Sequence, residues 1–265
     1  MEVRSLGYRT DLMVRRLAGS SITDRGRYIV VRTPENPGFH WGNFLLWPGP
    51  PAEDEVGEWM AQFAEEFPAA THVALGIDVT EIPEWPGYLS TTGLEADSSV
   101  VLAAELPPEA GPPDGAPTVR PLCSDDDWGQ EQGLRVTLAA EDGPPPPGHH
   151  AFLERSTAES RRLVESGRAE YIGAFVDDRL CSVVGIASDG LGVARYQNVG
   201  THPGYRRRGF ASTLLSRAGS FGVEVFGARL LVIVADPDGP AVGLYRSVGF
   251  EPVEGQWGLS ASPVS

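Results

Sequence analysis

The stretch Val199-Gly-Thr-His-Pro-Gly-Tyr-Arg-Arg-Arg-Gly-Phe-Ala-Ser212 decides how this chain is organised. Residues 193–201 are compatible with a strand, and residues 212–225 carry apolar side chains at helical spacing. The triplet His202-Pro203-Gly204 predicts a turn between them, because Pro lacks an amide hydrogen and Gly tolerates a positive φ. The pattern therefore predicts a strand, a turn and a helix that begins near Arg208 or Gly209.

The predicted helix start is suited to binding phosphate. Its first backbone amides have no acceptor within the helix, and the helix dipole is positive there. Gly209 and Ala211 let a ligand approach the main chain, and Arg206-Arg207-Arg208 adds positive charge to a chain of formal net charge -15. An arginine triplet before a helix is also typical of a solvated corner, and this stretch alone leaves both interpretations open.

The order of the motifs distinguishes these interpretations. Another predicted strand follows the helix, and after it comes Leu244-Tyr-Arg-Ser-Val-Gly-Phe-Glu251. Arg206-x-x-Gly209-x-Ala211 is similar to the pyrophosphate loop of the GNAT superfamily of acyl-CoA-dependent N-acetyltransferases. Residues 244–251 resemble the C-terminal helix-to-strand signature of that superfamily. Each motif alone is weak, but the ordered pair is specific.

Composition limits the classes of function. The chain has 265 residues, 41% of them hydrophobic, and a sequence pI of about 4.7. The acidic balance argues against binding to nucleic acid or to an anionic membrane and favours cationic partners such as amines. No apolar run is long enough to cross a bilayer, and residues 1–16 lack the apolar core of a secretory signal, so we expect a cytoplasmic protein.

The two cysteines, Cys123 and Cys181, are too few for a disulfide scaffold or a metal site. Both lie in apolar, strand-like contexts, and we expect two buried thiols and no metal. The acidic run Ser124 to Asp127 is interpreted as the N-cap of a helix rather than as a metal ligand set.

Residues 107–117 are rich in Pro and Gly and predict a linker between a domain at 1–106 and a domain at 118–265. Aligning Gly93 with Gly249 sets residues 87–95 against residues 243–251, each between two predicted strands. This faint repeat suggests two similar mixed α/β domains in tandem, although chance resemblance around one glycine turn is the alternative. The chain would then be a monomer with pseudo-dimeric halves, or a homodimer.

The first domain departs from the superfamily pattern, because it has no Arg-x-x-Gly-x-Gly/Ala loop and carries Leu89 where the second domain has Tyr245. We expect it to lack a cofactor site. Its first 25 residues are weakly patterned, and residues 39–47 read as an aromatic strand in which His40 and Trp41 either line a ligand pocket or pack. Helices are expected at residues 53–67 and, more briefly, at 85–92.

Local patterns in the second domain predict its remaining elements. Helices are expected at residues 125–140 and 149–166, and the proline-rich loop 141–148 joins them. Asp177-Asp178 predicts a tight hairpin. In the superfamily, the connection between the first two helices borders the acceptor site, so the resemblance implies that this stiff loop shapes specificity.

The resemblance implies acetyl-CoA as cosubstrate and an amine as acceptor. Two central strands splay apart in the GNAT fold, and the pantetheine arm bonds to the exposed edge of the strand that here contains Val199 and Thr201. The implied cofactor-binding residues are Val199, Gly200, Thr201, Arg206, Arg207, Arg208, Gly209, Phe210, Ala211, Ser212 and Asp238.

The catalytic pattern is incomplete. Tyr245 matches the general acid that protonates the departing thiolate, although it could instead pack or bond to the sulfur. Gln197 stands where many members carry a general-base Glu, and Asp238 stands where many carry Asn. The sequence thus leaves two functions open: an N-acetyltransferase, or an inactive acyl-CoA-binding or association module.

Overall fold

The computed structural model describes residues 1–81, 87–145 and 147–261. The described residues form six α-helices and eleven strands. In chain order these are α1 (Leu6–Leu17), β1 (Ser21–Asp24), β2 (Ile29–Arg32), β3 (Phe44–Trp47), α2 (Val56–Glu66), β4 (Val73–Ile77), β5 (Glu95–Ala104), β6 (Thr118–Pro121), α3 (Asp125–Ala139), α4 (His149–Glu165), β7 (Ala169–Val176), β8 (Arg179–Ala187), β9 (Val193–Thr201), α5 (Phe210–Glu224), β10 (Leu230–Ala235), α6 (Ala241–Ser247) and β11 (Glu251–Ala261).

The first compact unit comprises residues 1–101 and 235–237 together with the chain from Val253 onward. Its sheet has the order β1-β2-β3-β4-β11-β5. β4 runs parallel to β3, and β11 runs antiparallel to β4, with Trp257 opposite Ile77 and Ala261 opposite Val73. The last described strand of the chain therefore completes the sheet of the first unit.

The core of the first unit is aromatic. Trp47 and Trp59 stack with ring centroids 4.0 Å apart, which joins β3 to α2. Tyr8 of α1 is buried and its hydroxyl donates to the carbonyl of Trp257 at 2.5 Å, which ties the first helix to β11. Burial of such large rings contributes much of the stability of this unit.

The second compact unit comprises residues 102–234 and 238–252. Its sheet has the order β10-β9-β8-β7-β6, in which β6 to β9 form an antiparallel meander and β10 is parallel to β9. α3 and α4 pack on each other, and α5 packs on β7 and β8. The hairpin between β7 and β8 turns at Asp177 and Asp178, both with positive φ, as the sequence predicted.

A capping box starts α3. The Ser124 hydroxyl accepts the Asp127 amide at 3.1 Å, and the Asp127 carboxylate accepts the Ser124 amide at 3.1 Å. The same carboxylate binds the Arg120 guanidinium through both oxygens, at 2.7 and 2.8 Å. The Arg120 hydrogen bond is the main reason that the pKa of Asp127 lies well below its usual range. The acidic run thus caps the helix, as expected.

Gly93 and Gly249 both have positive φ, at 76° and 104°. Each follows a short helical segment and precedes a strand, β5 in one case and β11 in the other. Leu89 and Tyr245, which the sequence alignment equates, are both buried. Equivalent backbone conformations at the aligned positions favour a repeat over a chance resemblance.

One helix was not predicted, and two local predictions were wrong. Residues 6–17 form α1, which the weak pattern concealed because its buried face includes the polar Thr10 and Arg15. Residues 40–42 form a 3-10 turn, so the aromatic strand is confined to β3. Cys123 is exposed, whereas Cys181 is buried as expected. The beginning of the helix expected at 85–92 lies outside the described residues, as does Pro146 in the proline-rich loop.

Candidate active site

The candidate site begins at an open strand edge in the second unit. The ladder between β9 and β10 pairs Val193, Ala194 and Arg195 of β9, and within the described residues it goes no further. Asn198 has φ 48°, and the register between β8 and β9 shifts between Val183 and Gly185, so β9 is bulged here. The carboxyl half of β9 thus diverges from β10.

The orientation of β9 determines which peptide groups face this open edge. The Gly200 carbonyl accepts the Ser182 hydroxyl of β8 at 2.9 Å, so the Gly200 peptide group points towards β8. Because successive residues of a strand point their peptide groups to opposite sides, those of Val199 and Thr201 point away from β8. Their N–H and C=O groups are placed to bond an extended chain lying beside β9.

The turn after β9 leads directly into α5. His202 caps the turn by accepting the Gly204 amide on Nδ1 at 3.2 Å. Arg207 and Gly209 adopt left-handed φ values of 63° and 75°, which reverse the chain so that the first amides of α5 point out of the helix. Gly209 is the N-cap and provides no side-chain acceptor for these amides. An anion could accept them instead.

The side chains of the loop differ in their exposure and in their contacts. Phe210 is buried, so only its main chain is available to a ligand. Arg206 pairs with both carboxylate oxygens of Glu141, with Nη1 to Oε1 at 2.9 Å. Arg208 lies over the Tyr205 ring at 5.1 Å from its centroid. All three arginines are exposed, so the positive charge is at the surface of the unit, where salt screens it.

The Pro-rich segment 107–117 rests on this loop, which the sequence did not indicate. The Asp114 amide donates to the Arg208 carbonyl at 2.9 Å. The Pro113 Cα atom lies 3.3 Å from the position that a Cβ atom on Gly209 would take. Gly209 is therefore restricted to glycine both by its positive φ and by the close approach of Pro113.

Tyr245 lies on α6, in the same unit as the loop. It is 5% exposed, and its ring contacts Phe250 edge-on at 6.2 Å between centroids. Burial raises the pKa of Tyr245 to about 12, so the phenol stays protonated at neutral pH. Asp238 is exposed in the turn that precedes α6.

No carboxylate stands at the position of the usual base. The Gln197 side chain donates to the Tyr196 carbonyl at 2.9 Å, and the Asn198 side chain donates to the Tyr171 hydroxyl at 2.9 Å. Tyr171 in turn donates to the Ser160 hydroxyl of α4 at 2.9 Å. This polar chain fixes the bulge of β9 against α4. No sequence motif indicates this chain of hydrogen bonds, because its members lie on three elements.

A buried carboxylate on α3 lies near this polar chain. Glu131 is fully buried, accepts the Thr157 hydroxyl at 2.8 Å and lies 3.8 Å from the Arg135 guanidinium. Burial raises the pKa of Glu131, although Arg135 opposes the shift, and Glu131 in turn helps to raise the pKa of Tyr171. In the sequence, this ion pair is indicated only by the spacing of Glu131 and Arg135, which lie four residues apart on a predicted helix.

Residues 135–250 match the model of the Acetyltransferase (GNAT) family. The match covers less than half of the chain, and the matched segment contains the open edge of β9, the loop and Tyr245. The resemblance proposed from the two motifs is confirmed. A comparison with curated proteins gives no match.

Solved structures resemble nearly the whole chain. A functionally unknown conserved protein from Staphylococcus epidermidis has a TM-score of 0.69 at 12% identity, covering 93% of this chain and 96% of its own. A GCN5-related N-acetyltransferase from Kribbella flavida has a TM-score of 0.62 at 16% identity, covering 98% and 97%. A tandem GNAT protein from the clavulanic acid biosynthesis pathway has a TM-score of 0.58 at 14% identity, covering 95% and 88%. These identities bear on the fold alone, and the predicted mixed α/β, tandem GNAT-like class is confirmed.

Within residues 1–81, 87–145 and 147–261, no group of three or more His, Cys, Asp or Glu side chains is arranged to hold a metal ion. None of the helices in that part of the chain is long and apolar enough to cross a membrane.

Proposed function

We propose that the second unit transfers an acetyl group from acetyl-CoA to a primary amine of a small molecule or peptide, by direct attack in a ternary complex. The observation that carries this proposal is the continuity of the open edge of β9 with the start of α5. An extended pantetheine arm along Val199 and Thr201 would end with its pyrophosphate at the amides of residues 207–212.

The amine must reach the thioester and lose a proton. Gln197 cannot accept that proton, since an amide side chain is not a useful base at neutral pH. The amine then attacks as its free base or gives its proton to water. Tyr245 is proposed to donate its phenolic proton to the sulfur as the carbon–sulfur bond breaks. Its raised pKa keeps it protonated until that step.

A second function is an inactive acyl-CoA-binding or association module. Two contacts favour it: the bond of Gln197 to its own neighbour, Tyr196, and the approach of Pro113 to Gly209. With Gln197 at this position, β9 offers no general base. Pro113 narrows the space beside the amides that are proposed to bind phosphate.

One experiment separates these functions. The protein is incubated with acetyl-CoA and a panel of primary amines, and free thiol is measured against reactions without amine. Amine-dependent thiol release supports the transferase. Calorimetric binding of one acetyl-CoA per chain without release for any amine supports the acyl-CoA-binding module. Absence of acetyl-CoA binding by the folded protein contradicts the transferase and leaves the association module.

A further inference from the structure

A cavity of ≈ 170 Å³ lies in the first unit, apart from the proposed transfer site. Tyr8, Trp41, Asp97, Ser98, Gln256 and Trp257 are among the residues that line it. They come from α1, the 3-10 turn at residues 40–42, β5 and β11. Since one water takes about 30 Å³ in the liquid, the volume suits a small organic molecule better than a single solvent molecule.

Two oxygen atoms of the lining residues lack donors. Asp97 Oδ2 and Gln256 Oε1 are buried and have no hydrogen-bond partner among the described residues. The Gln256 amide nitrogen is already used, because it donates to Asp11 at 2.5 Å. Buried acceptors without a donor are uncommon in folded proteins, and a ligand that carries N–H groups would satisfy them.

The wall of the cavity carries a carboxylate, that of Asp97. Burial raises the pKa of the Tyr8 hydroxyl, and the nearby carboxylates of Asp11, Asp78 and Asp97 raise it further. Arg4 lies 3.9 Å from Asp78. The negative charge of Asp97 at the cavity favours a cation over a neutral or anionic ligand.

The aromatic walls suit a cation that carries carbon. Trp41 packs so closely on β11 that a Cβ atom on Gly258 would lie 2.4 Å from its ring. Indole rings attract alkylammonium groups through their negative faces, whereas a bare metal ion needs several oxygen or nitrogen ligands. Among the described residues, Asp97 is the one carboxylate that lines the cavity, which is too few for a metal site.

We propose that this cavity binds a compact organic ammonium ion, whose N–H groups donate to Asp97 and Gln256 and whose carbon atoms pack on Trp41 and Trp257. The site differs from the acceptor site of the proposed transfer reaction and needs no acetyl-CoA. Binding to it can therefore be tested whether or not the protein is a transferase.

The test is calorimetric titration with benzylammonium at low salt, with benzyl alcohol as the uncharged analogue. We expect the wild-type protein to bind benzylammonium and to bind benzyl alcohol at least about ten-fold more weakly. Asp97→Asn should weaken benzylammonium binding about ten-fold or more, since it removes the charge but keeps the shape. Asp54→Asn is the matched control: it changes the net charge equally at an exposed position of the same unit and should leave affinity unchanged.

A second variant and a second readout locate the site. Ser98 is exposed at the cavity, so Ser98→Lys should fold and should weaken binding by adding a like charge. In nitrogen-15 NMR spectra, benzylammonium should shift the indole N–H signals of Trp41 and Trp257 but not that of Trp128 in the second unit. Equal affinity of wild type and Asp97→Asn, or shifts confined to Trp128, would overturn the proposal.

Discussion

Asp114 donates its backbone amide to the carbonyl of Arg208 at 2.9 Å, which anchors the Pro-rich segment to the loop proposed to hold phosphate. Pro113 then lies 3.3 Å, at its Cα atom, from the position that a Cβ atom on Gly209 would take. A substitution at Gly209 would disturb this contact and strain the backbone, because Gly209 has a positive φ. A loss of acetyl-CoA binding in such a variant would therefore not show that the loop binds phosphate. Ala211, within the first turn of α5, is the sharper position to test.

We expect Ala211→Asp to weaken acetyl-CoA binding about ten-fold or more, because it places a carboxylate where the pyrophosphate would accept amides. The same charge is favourable to the start of a helix, so the melting temperature should be unchanged or higher. Calorimetry with acetyl-CoA measures the effect, and Ala211→Ser is the uncharged control. Equal acetyl-CoA affinity of Ala211→Asp and Ala211→Ser would show that this loop does not bind the pyrophosphate.

We expect Tyr245→Phe to lower the acetyl-transfer rate on the order of 10²-fold, as loss of a positioned acid does. Acetyl-CoA affinity should change little, since one hydroxyl is removed and the ring still packs on Phe250. Gln197→Ala should have a much smaller effect on rate. Steady-state kinetics with an amine from the screen provides the measurement, and a wild-type rate for Tyr245→Phe would assign the phenol a structural role.

The rate should depend on pH through the amine rather than through a protein base. With Gln197 at the base position, kcat/KM should rise about ten-fold per pH unit up to the amine pKa, about 10 for an alkylamine. The pKa of Tyr245, raised to about 12, places deprotonation of the acid above that range. A plateau beginning near pH 6 or 7 would instead reveal a carboxylate or histidine base.

We expect Asp127→Asn to destabilise the second unit by about 2 kcal/mol, through loss of the Arg120 ion pair and part of the capping box. The folded pKa of Asp127 lies below its unfolded value near 3.9, so its stabilisation is present above about pH 4 and is lost as pH falls below that. Urea denaturation measures the free energy of unfolding of the wild type and of Asp127→Asn. The difference between the two should be smaller at pH 3 than at pH 7. Asp126→Asn, at an exposed neighbour, should cost little at either pH.

Local chemistry explains which parts of the fold could be predicted. The hairpin at Asp177 and Asp178, the cap at Ser124 and the turn before Gly209 each depend on residues a few positions apart. α1 was missed because Thr10 and Arg15 lie on its buried face, where periodicity analysis expects apolar side chains.

The residues of the candidate site were also predicted from patterns that are local in the sequence. The strand, the loop and Tyr245 are identified by short motifs, whereas the polar chain of Asn198, Tyr171 and Ser160 unites three elements through tertiary contacts. The contact of Pro113 with Gly209 is of the same kind: composition identifies the segment but does not say what it touches. Such pairings depend on the whole fold.

The position of β11 in the sheet of the first unit affects how this unit can fold during synthesis. Tyr8 and Trp257, joined by a hydrogen bond, are 249 residues apart in the chain. During synthesis, α1 to β4 would leave the ribosome long before the strand that pairs with β4 exists. The edge of β4 would be unpaired throughout that interval and prone to associate with other chains, which makes the nascent first unit a natural client for a chaperone.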